Sequence, residues 1–149
     1  MLENKKVLLV CSPYYKDITK NLIKGASQIL KKNSVEFKII HVPGALEIAP
    51  AIKYFSERSS KSHLFDGYVA LGCIIRGKTY HFEIVSIESA RGLSVLSITH
   101  SLPIGNGILT VENIDQANER SDPFKLNKGG GAAMACLSLI KHKNFNSYE

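Results

Sequence analysis

The feature that most constrains this chain is an alternation of short, β-branched apolar runs with segments of helical periodicity. Lys6–Cys11 (KVLLVC) reads as a buried strand ending at Ser12-Pro13. From Asp17 to Lys32, Ile18, Leu22, Ala26 and Ile29 or Leu30 fall on one helical face, and Asn33-Ser34 closes that helix. Val35–Val42 is a second strand, stopped by Pro43-Gly44. A second helix begins in ALEIAPAIKYFSERS, which ends at Ser59, with Pro50 acceptable only in its first turn. Asp66–Cys73 reads as a third strand, Phe82 to Thr99 as a long helix, and Pro103–Val111 as a fourth strand. Asn113 caps the short helix IDQANERS. After the turn at Asp122-Pro123, a last helix runs from Lys128 to Lys143.

Strands that alternate with helices long enough for parallel crossovers predict a three-layer α/β/α sandwich around a four-stranded parallel, flavodoxin-like sheet. With 149 residues and no linker, repeat or low-complexity stretch, one domain spanning 1–149 is expected. The small-residue run GGGAAMACLSLI in the last helix suggests a face left for close packing between subunits.

Composition excludes several classes. The apolar run in MLENKKVLLVCS is too short for a signal peptide, and no stretch approaches the ~20 apolar residues of a membrane span, which predicts a cytoplasmic protein. Cys11, Cys73 and Cys136 are widely spaced and form no C-x-x-C, so neither a disulfide framework nor a zinc knuckle is suggested. The net charge of +6 comes from lysines scattered among acids, without an aromatic-basic stripe. That pattern favours solvated helix faces and small anions over nucleic acid.

In parallel α/β sheets ligands sit beyond the carboxyl ends of the strands. Those ends carry Ser12-Pro13-Tyr14-Tyr15, Pro43–Glu47, Ile74–Thr79 and the region after Val111. The segment GCIIRGKTYHFEIV (72–85) gathers a guanidinium, an ammonium, a hydroxyl and an imidazole at one strand end. A lone His81 at a helix start reads most simply as a solvated residue. Lys78-Thr79 beside it shift the reading towards an anion site with proton transfer. Gly72 through Thr79 nominally match G-x-x-x-x-G-K-[ST], but the interior CIIR is apolar, unlike a loop that wraps a triphosphate. His81-Phe82-Glu83 imitates the H-x-E of zinc deaminases without the P-C-x-x-C half. A Cys73 nucleophile elbow would need glycines where Leu71 and Ile75 stand. Glu47 suits a helix start through the dipole alone. Tyr14 is either a surface aromatic or a platform for a flat heterocycle, and Arg120 before its proline turn has the setting of a surface residue.

The segments VPGALEIAPAIK, ALGCIIRGKTYHFEIV, GILTVENIDQANER and NKGGGAAMA together resemble lumazine synthase, over nearly the whole chain. P-G-A-x-E-I, R-G-x-T-x-H-F and E-R followed by N-K-G stand in that family's order and spacing. The resemblance implies condensation of 5-amino-6-(D-ribitylamino)uracil with 3,4-dihydroxy-2-butanone 4-phosphate to 6,7-dimethyl-8-ribityllumazine, with release of phosphate and water. This is the penultimate step of riboflavin biosynthesis, and the resemblance implies neither a metal nor an organic cofactor.

Carried over by motif, Tyr14 stacks on the pyrimidine, Ala45, Leu46 and Glu47 line the ribityl chain, and Cys73, Ile74 and Ile75 meet the pyrimidine edge. Lys78 and Thr79 hold the butanone phosphate, His81 transfers protons, and Arg120 gives the main phosphate contact as a planar fork. The resemblance also implies a homo-oligomer, a pentamer or an assembly of pentamers, in which Asn106, Arg120 and Lys128 come from the neighbouring subunit. Two departures stand out: Asn106 replaces an aromatic common in the family, and the loop SDPFKLNKGG lacks the usual Lys-Ala-Gly-rich composition. A non-catalytic flavodoxin-like module binding a flavin or nucleotide is the alternative. His81 and Arg120 speak against it, because a pure binder needs no proton carrier beside a phosphate site.

Overall fold

The computed structural model describes residues 2–58 and 64–145. Its elements are β1 (Lys6–Cys11), α1 (Lys16–Lys32), β2 (Glu36–His41), a 3-10 turn (Ala45–Glu47), α2 (Ile48–Arg58), β3 (Gly67–Ile75), α3 (His81–Thr99), β4 (Ile104–Val111), α4 (Ile114–Ser121) and α5 (Lys128–Lys143). The four strands form one parallel sheet in the order β2-β1-β3-β4. Every element expected from the sequence is present.

The period of two along each strand sorts the core onto two faces. Val7, Leu9 and Cys11 of β1, with Val69, Leu71 and Cys73 of β3, pack against Leu22 and Leu30 of α1, Ala117 of α4 and Cys136 and Ile140 of α5. On the other face Leu8, Val10, Tyr68 and Ala70 meet Ile48 and Ile52 of α2 and Leu93 and Leu96 of α3. A central strand buried on both faces must be apolar at consecutive positions. This explains why KVLLVC and GYVALGCII read as runs, not alternations. The edge strand β2 has no buried residue.

Several boundaries differ from the sequence reading by a residue or more, and three of them bear on the site. The strand predicted to stop at Cys73 continues to Ile75, because Cys73, Ile74 and Ile75 pair with Leu109, Thr110 and Val111 of β4. The helix expected from Ala45 opens as a 3-10 turn, and Pro50 falls at the third position of α2, where its missing N–H has no partner to lose. The long helix begins at His81, one residue earlier than expected. Ser59, the end of the second predicted helix, lies outside the described residues.

The glycine-rich start of α5 is covered on one side by the chain itself and left solvated on the other. Gly129, Gly130, Ala132 and Ala133 are buried within the chain, and only a strip including Gly131, Met134 and Leu139 remains exposed. A Cβ on Gly105 would lie 1.9 Å from the Ala132 carbonyl oxygen, so a bare backbone in β4 lets α5 settle onto the sheet. Among the described residues, no helix is long and apolar enough to cross a membrane.

Candidate active site

The strand order reverses between β1 and β3, since β2 lies outward on one side and β4 on the other. Such a reversal opens a crevice at the carboxyl ends, because the following connections leave in opposite directions. A cleft of about 440 Å³ lies at these ends, lined from β1 by Ser12, Tyr14 and Tyr15, and from the next connection by Gly44, Ala45, Leu46 and Glu47. The end of β3 adds Cys73, Ile74, Ile75, Gly77 and Thr79, and the first turns of α3 add His81, Phe82 and Val85.

The strand ends are tied together beneath the cleft. The Ser12 N–H donates to the Leu71 carbonyl at 2.9 Å, and that of Val42 to the Cys11 carbonyl at 2.9 Å. The Thr19 hydroxyl donates to the Ser12 carbonyl at 2.9 Å. Beyond Leu71, β3 has no β1 partner. In a parallel strand alternate residues direct their backbone polar groups to opposite neighbours. Tyr68 and Arg76 donate towards the β4 side, to the carbonyls of Pro103 and Val111, whereas the Leu71 carbonyl accepts from the β1 side. By that alternation the N–H and C=O of Cys73 and Ile75 face the crevice. They form an edge of fixed donors and acceptors suited to a flat heterocycle.

At the rim the Tyr14 ring is 74% exposed and meets Tyr15 edge-on, with centroids 5.1 Å apart. An exposed face supported at its edge is available for stacking. The Glu47 carboxylate folds back over Gly44, where a Cβ would come within 2.9 Å of Glu47 Oε2. Burial pushes the Cys73 thiol up to about 11, so it remains protonated at neutral pH and is unsuited to nucleophilic attack.

The β3–α3 junction carries the polar groups. His81 is the first residue of α3, and its N–H donates to the Thr79 hydroxyl at a long 3.4 Å. Among the described residues the Phe82 N–H has no acceptor, so the helix start offers donors to an anion. Arg76 does not share in this. Its Nε donates to Glu112 Oε2 at 2.7 Å, its Nη1 donates to Glu83 Oε1, and its guanidinium lies 4.3 Å from the Phe82 ring centroid. The hydrogen bonds that Arg76 donates to Glu112 and then to Glu83 raise its pKa above the ordinary value, and Arg76 in turn holds Glu83 below the usual carboxylate range. Glu83 is thereby committed to an ion pair. Gly72 lies within β3 and not in a loop, which removes the geometry a triphosphate loop requires. Lys78 is exposed and has no ion pair or hydrogen bond among the described residues, but only its neighbours Gly77 and Thr79 line the cleft.

The remaining sequence candidates lie elsewhere. Asn106, Arg120 and Lys128 line a second cleft of about 380 Å³ along the outer edge of β4, together with Gly131, Ala132 and Ala135. Asn106 Oδ1 accepts from the Ile108 N–H at 3.0 Å. Among the described residues the Arg120 guanidinium makes only long contacts, 3.4 Å to the Gln116 carbonyl and 3.5 Å to Glu119. Lys128 opens α5 behind Asn127, whose left-handed backbone (φ 46) is one that Asn tolerates, and whose Oδ1 caps the Gly130 N–H at 3.1 Å. The structure thus divides the candidates other than Lys78 between two clefts of one chain.

Ser12, Tyr15, Gly44, Gly77, Phe82 and Val85 also line the first cleft; the sequence placed them in the highlighted segments but gave none of them a role of its own. Their signal was positional: each lies at or just after a strand end, or within one helical turn of His81.

Residues 4–144 match the family model described as 6,7-dimethyl-8-ribityllumazine synthase. Among proteins carrying that name, one from Bartonella bacilliformis is 50% identical over 140 residues, covering 94% of this chain and 91% of the relative. One from Bartonella henselae is 52% identical over 137 residues, covering 92% and 87%. One from Methylorubrum populi is 47% identical over 149 residues, covering 99% and 88%.

Proposed function

Because the chain belongs to the 6,7-dimethyl-8-ribityllumazine synthase family, we propose that it joins 5-amino-6-(D-ribitylamino)uracil to 3,4-dihydroxy-2-butanone 4-phosphate in the crevice between β1 and β3. The product is 6,7-dimethyl-8-ribityllumazine, with phosphate and water released. It is a transferase of riboflavin biosynthesis, acting in the cytoplasm as one lumazine-synthase-like domain over residues 1–149. A non-catalytic module would give no reason for similarity to named enzymes along the whole matched span.

The roles follow from what each group presents. Tyr14 stacks on the pyrimidine, while the open backbone edge of Cys73 and Ile75, with Ile74 between them, reads its polar rim. Glu47 accepts hydrogen bonds from ribityl hydroxyls alongside Ala45 and Leu46. The start of α3, with the Thr79 hydroxyl and the Lys78 charge, receives the butanone phosphate.

The 5-amino group attacks the butanone carbonyl and loses water to form an imine. Phosphate then leaves by elimination, the resulting enol tautomerises to a carbonyl, and the ribitylamino nitrogen attacks that carbonyl and closes the second ring with loss of a second water. Most of this reactivity belongs to the substrates, so the protein contributes orientation and proton transfer. His81, on the exposed first turn of α3, carries the proton removed at elimination and tautomerisation.

Asn106, Arg120 and Lys128 complete the crevice of an adjacent subunit, so the working unit is a homo-oligomer, a pentamer or an assembly of pentamers. The observation that supports this is the second cleft: Arg120 and Lys128 stand beside it without a strong partner among the described residues, away from His81 and Tyr14. Mixing the purified protein with both substrates tests the function. Lumazine fluorescence appearing together with inorganic phosphate is expected, and release of phosphate without lumazine would overturn the assignment.

A further inference from the structure

Arg76 stands in R-G-K-T, where the sequence invites reading both cations as phosphate ligands, yet the two are placed differently. The Lys78 ammonium is free among the described residues, whereas the Arg76 guanidinium is held by Glu83 and Glu112 and lies against Phe82. Those partners belong to different elements. Glu83 and Phe82 are in the first turn of α3, Glu112 follows β4, and Arg76 itself follows β3 and donates its N–H to the Val111 carbonyl at 2.9 Å. The loop between Arg76 and His81 has little else to hold it. Residues 76–81 are exposed, and among the described residues the one side-chain hydrogen bond within 77–80 is the long contact at Thr79.

Resting on the function proposed above, we propose that Arg76 is a positioning residue and not a phosphate ligand: its pairing with Glu83 closes the β3–α3 loop end to end and fixes Gly77, Thr79 and His81 at the crevice. Glu112 anchors the same guanidinium to the end of β4, so the loop is referenced to the sheet as well as to the helix. Phe82, which lines the crevice, takes its ring position from the guanidinium stacked on it. A loop held only at one end would sample positions in which the Thr79 hydroxyl and the helix-start N–H groups no longer converge. A misplacement near 1 Å costs on the order of a hundredfold in rate.

The test rests on opposite signs. If Arg76 bound phosphate directly, Glu83→Ala would free its charge and tighten phosphate binding. If it positions the loop, Glu83→Ala repeats the defect of Arg76→Met. Steady-state kinetics of both variants, with each substrate varied, are expected to raise the KM for the butanone phosphate about tenfold and to leave that of the pyrimidine within about twofold. Titration of inorganic phosphate followed by phosphorus NMR should weaken in parallel, and this readout needs no turnover. Should Arg76→Met fail to fold, Glu83→Ala carries the comparison alone. Tighter or unchanged phosphate binding in Glu83→Ala would overturn the proposal. A wild-type protein that makes no lumazine would instead overturn the proposed function, while the phosphate titrations would still report on Arg76.

Discussion

The backbone of Gly129 faces that of Leu22 so closely that a Cβ on the glycine would lie 2.1 Å from the Leu22 carbonyl oxygen. Helix α5 therefore rests on α1 backbone to backbone. The contact fixes the line along which α5 leaves Lys128, and hence where that ammonium stands beside Arg120. Gly131, two residues on, is different in kind: among the described residues nothing beyond its own stretch of helix lies within 4 Å of where its Cβ would be, and it lines the second cleft.

The two glycines should respond in opposite directions to the same substitution. Gly129→Ala has only backbone to push against and should destabilise the fold by about 1–3 kcal/mol, the usual range for overpacking. Gly131→Ala gains helix propensity of about 0.5–1 kcal/mol while narrowing the cleft, so its melting temperature should hold or rise as its activity falls. Thermal unfolding of both variants checks this, and equal losses would refute the distinction.

The order of elements was legible because the two central strands are buried on both faces and each helix carries its own apolar stripe or cap. Asn113 illustrates this: its side chain accepts from the Gln116 N–H at 2.9 Å, as a cap three residues ahead should. What escaped was set by partners distant in sequence. Ile74 and Ile75 look like a loop until β4 pairs with them. Arg76 looks like an anion ligand until Glu112, thirty-six residues away, takes its charge. Gly129 and Gly130 look available to another subunit until α1 covers them. The candidate site divides along the same line. Residues next to one another at a strand end were found together, whereas the separation of Arg120 and Lys128 from His81 follows from β4 lying at the sheet edge.

Arg120→Ala should weaken the butanone phosphate far more than the pyrimidine. Its guanidinium has only long contacts among the described residues, so its removal strands no buried partner there and the fold should be unaffected. A charge-assisted hydrogen bond lost from a shielded site costs roughly 1.5–3 kcal/mol, about one to two decades of affinity. Kinetics with each substrate varied in turn would separate the two effects. An equal rise in both KM values would mean that the site as a whole had shifted.

The three cysteines should be silent towards thiol reagents in the native protein. Burial raises Cys11 to about 12, Cys73 to about 11 and Cys136 to about 12, from an ordinary 9.0. A raised thiol pKa means that the folded state prefers the neutral form. The associated stability is therefore fully present below pH 9.0 and declines as pH rises towards 11–12. A disulfide reagent at pH 8 should modify none of them until denaturant is added, and Cys73, beside the crevice, should react first as pH is raised. Rapid modification of Cys73 at pH 8 would show a thiolate that burial does not suppress.

Two impaired variants should restore each other's activity when assayed below saturation with the butanone phosphate. His81 and Arg120 stand at separate clefts of one chain, so if a working site takes His81 from one subunit and Arg120 from the next, each variant damages every site in its own assembly. His81→Ala alone should slow turnover by up to about 10²–10⁴-fold, less wherever the substrates' intrinsic condensation carries the reaction. When the two variants are dissociated, mixed in equal amounts and reassembled, about a quarter of the sites in a head-to-tail ring should pair an intact His81 with an intact Arg120. Activity should then rise towards a quarter of the wild-type value, and size-exclusion chromatography with light scattering should return the mass of the original assembly. Re-formed assemblies with no gain in activity would mean that each chain builds its site alone. The placement of Asn106, Arg120 and Lys128 in a neighbour's crevice would then be wrong.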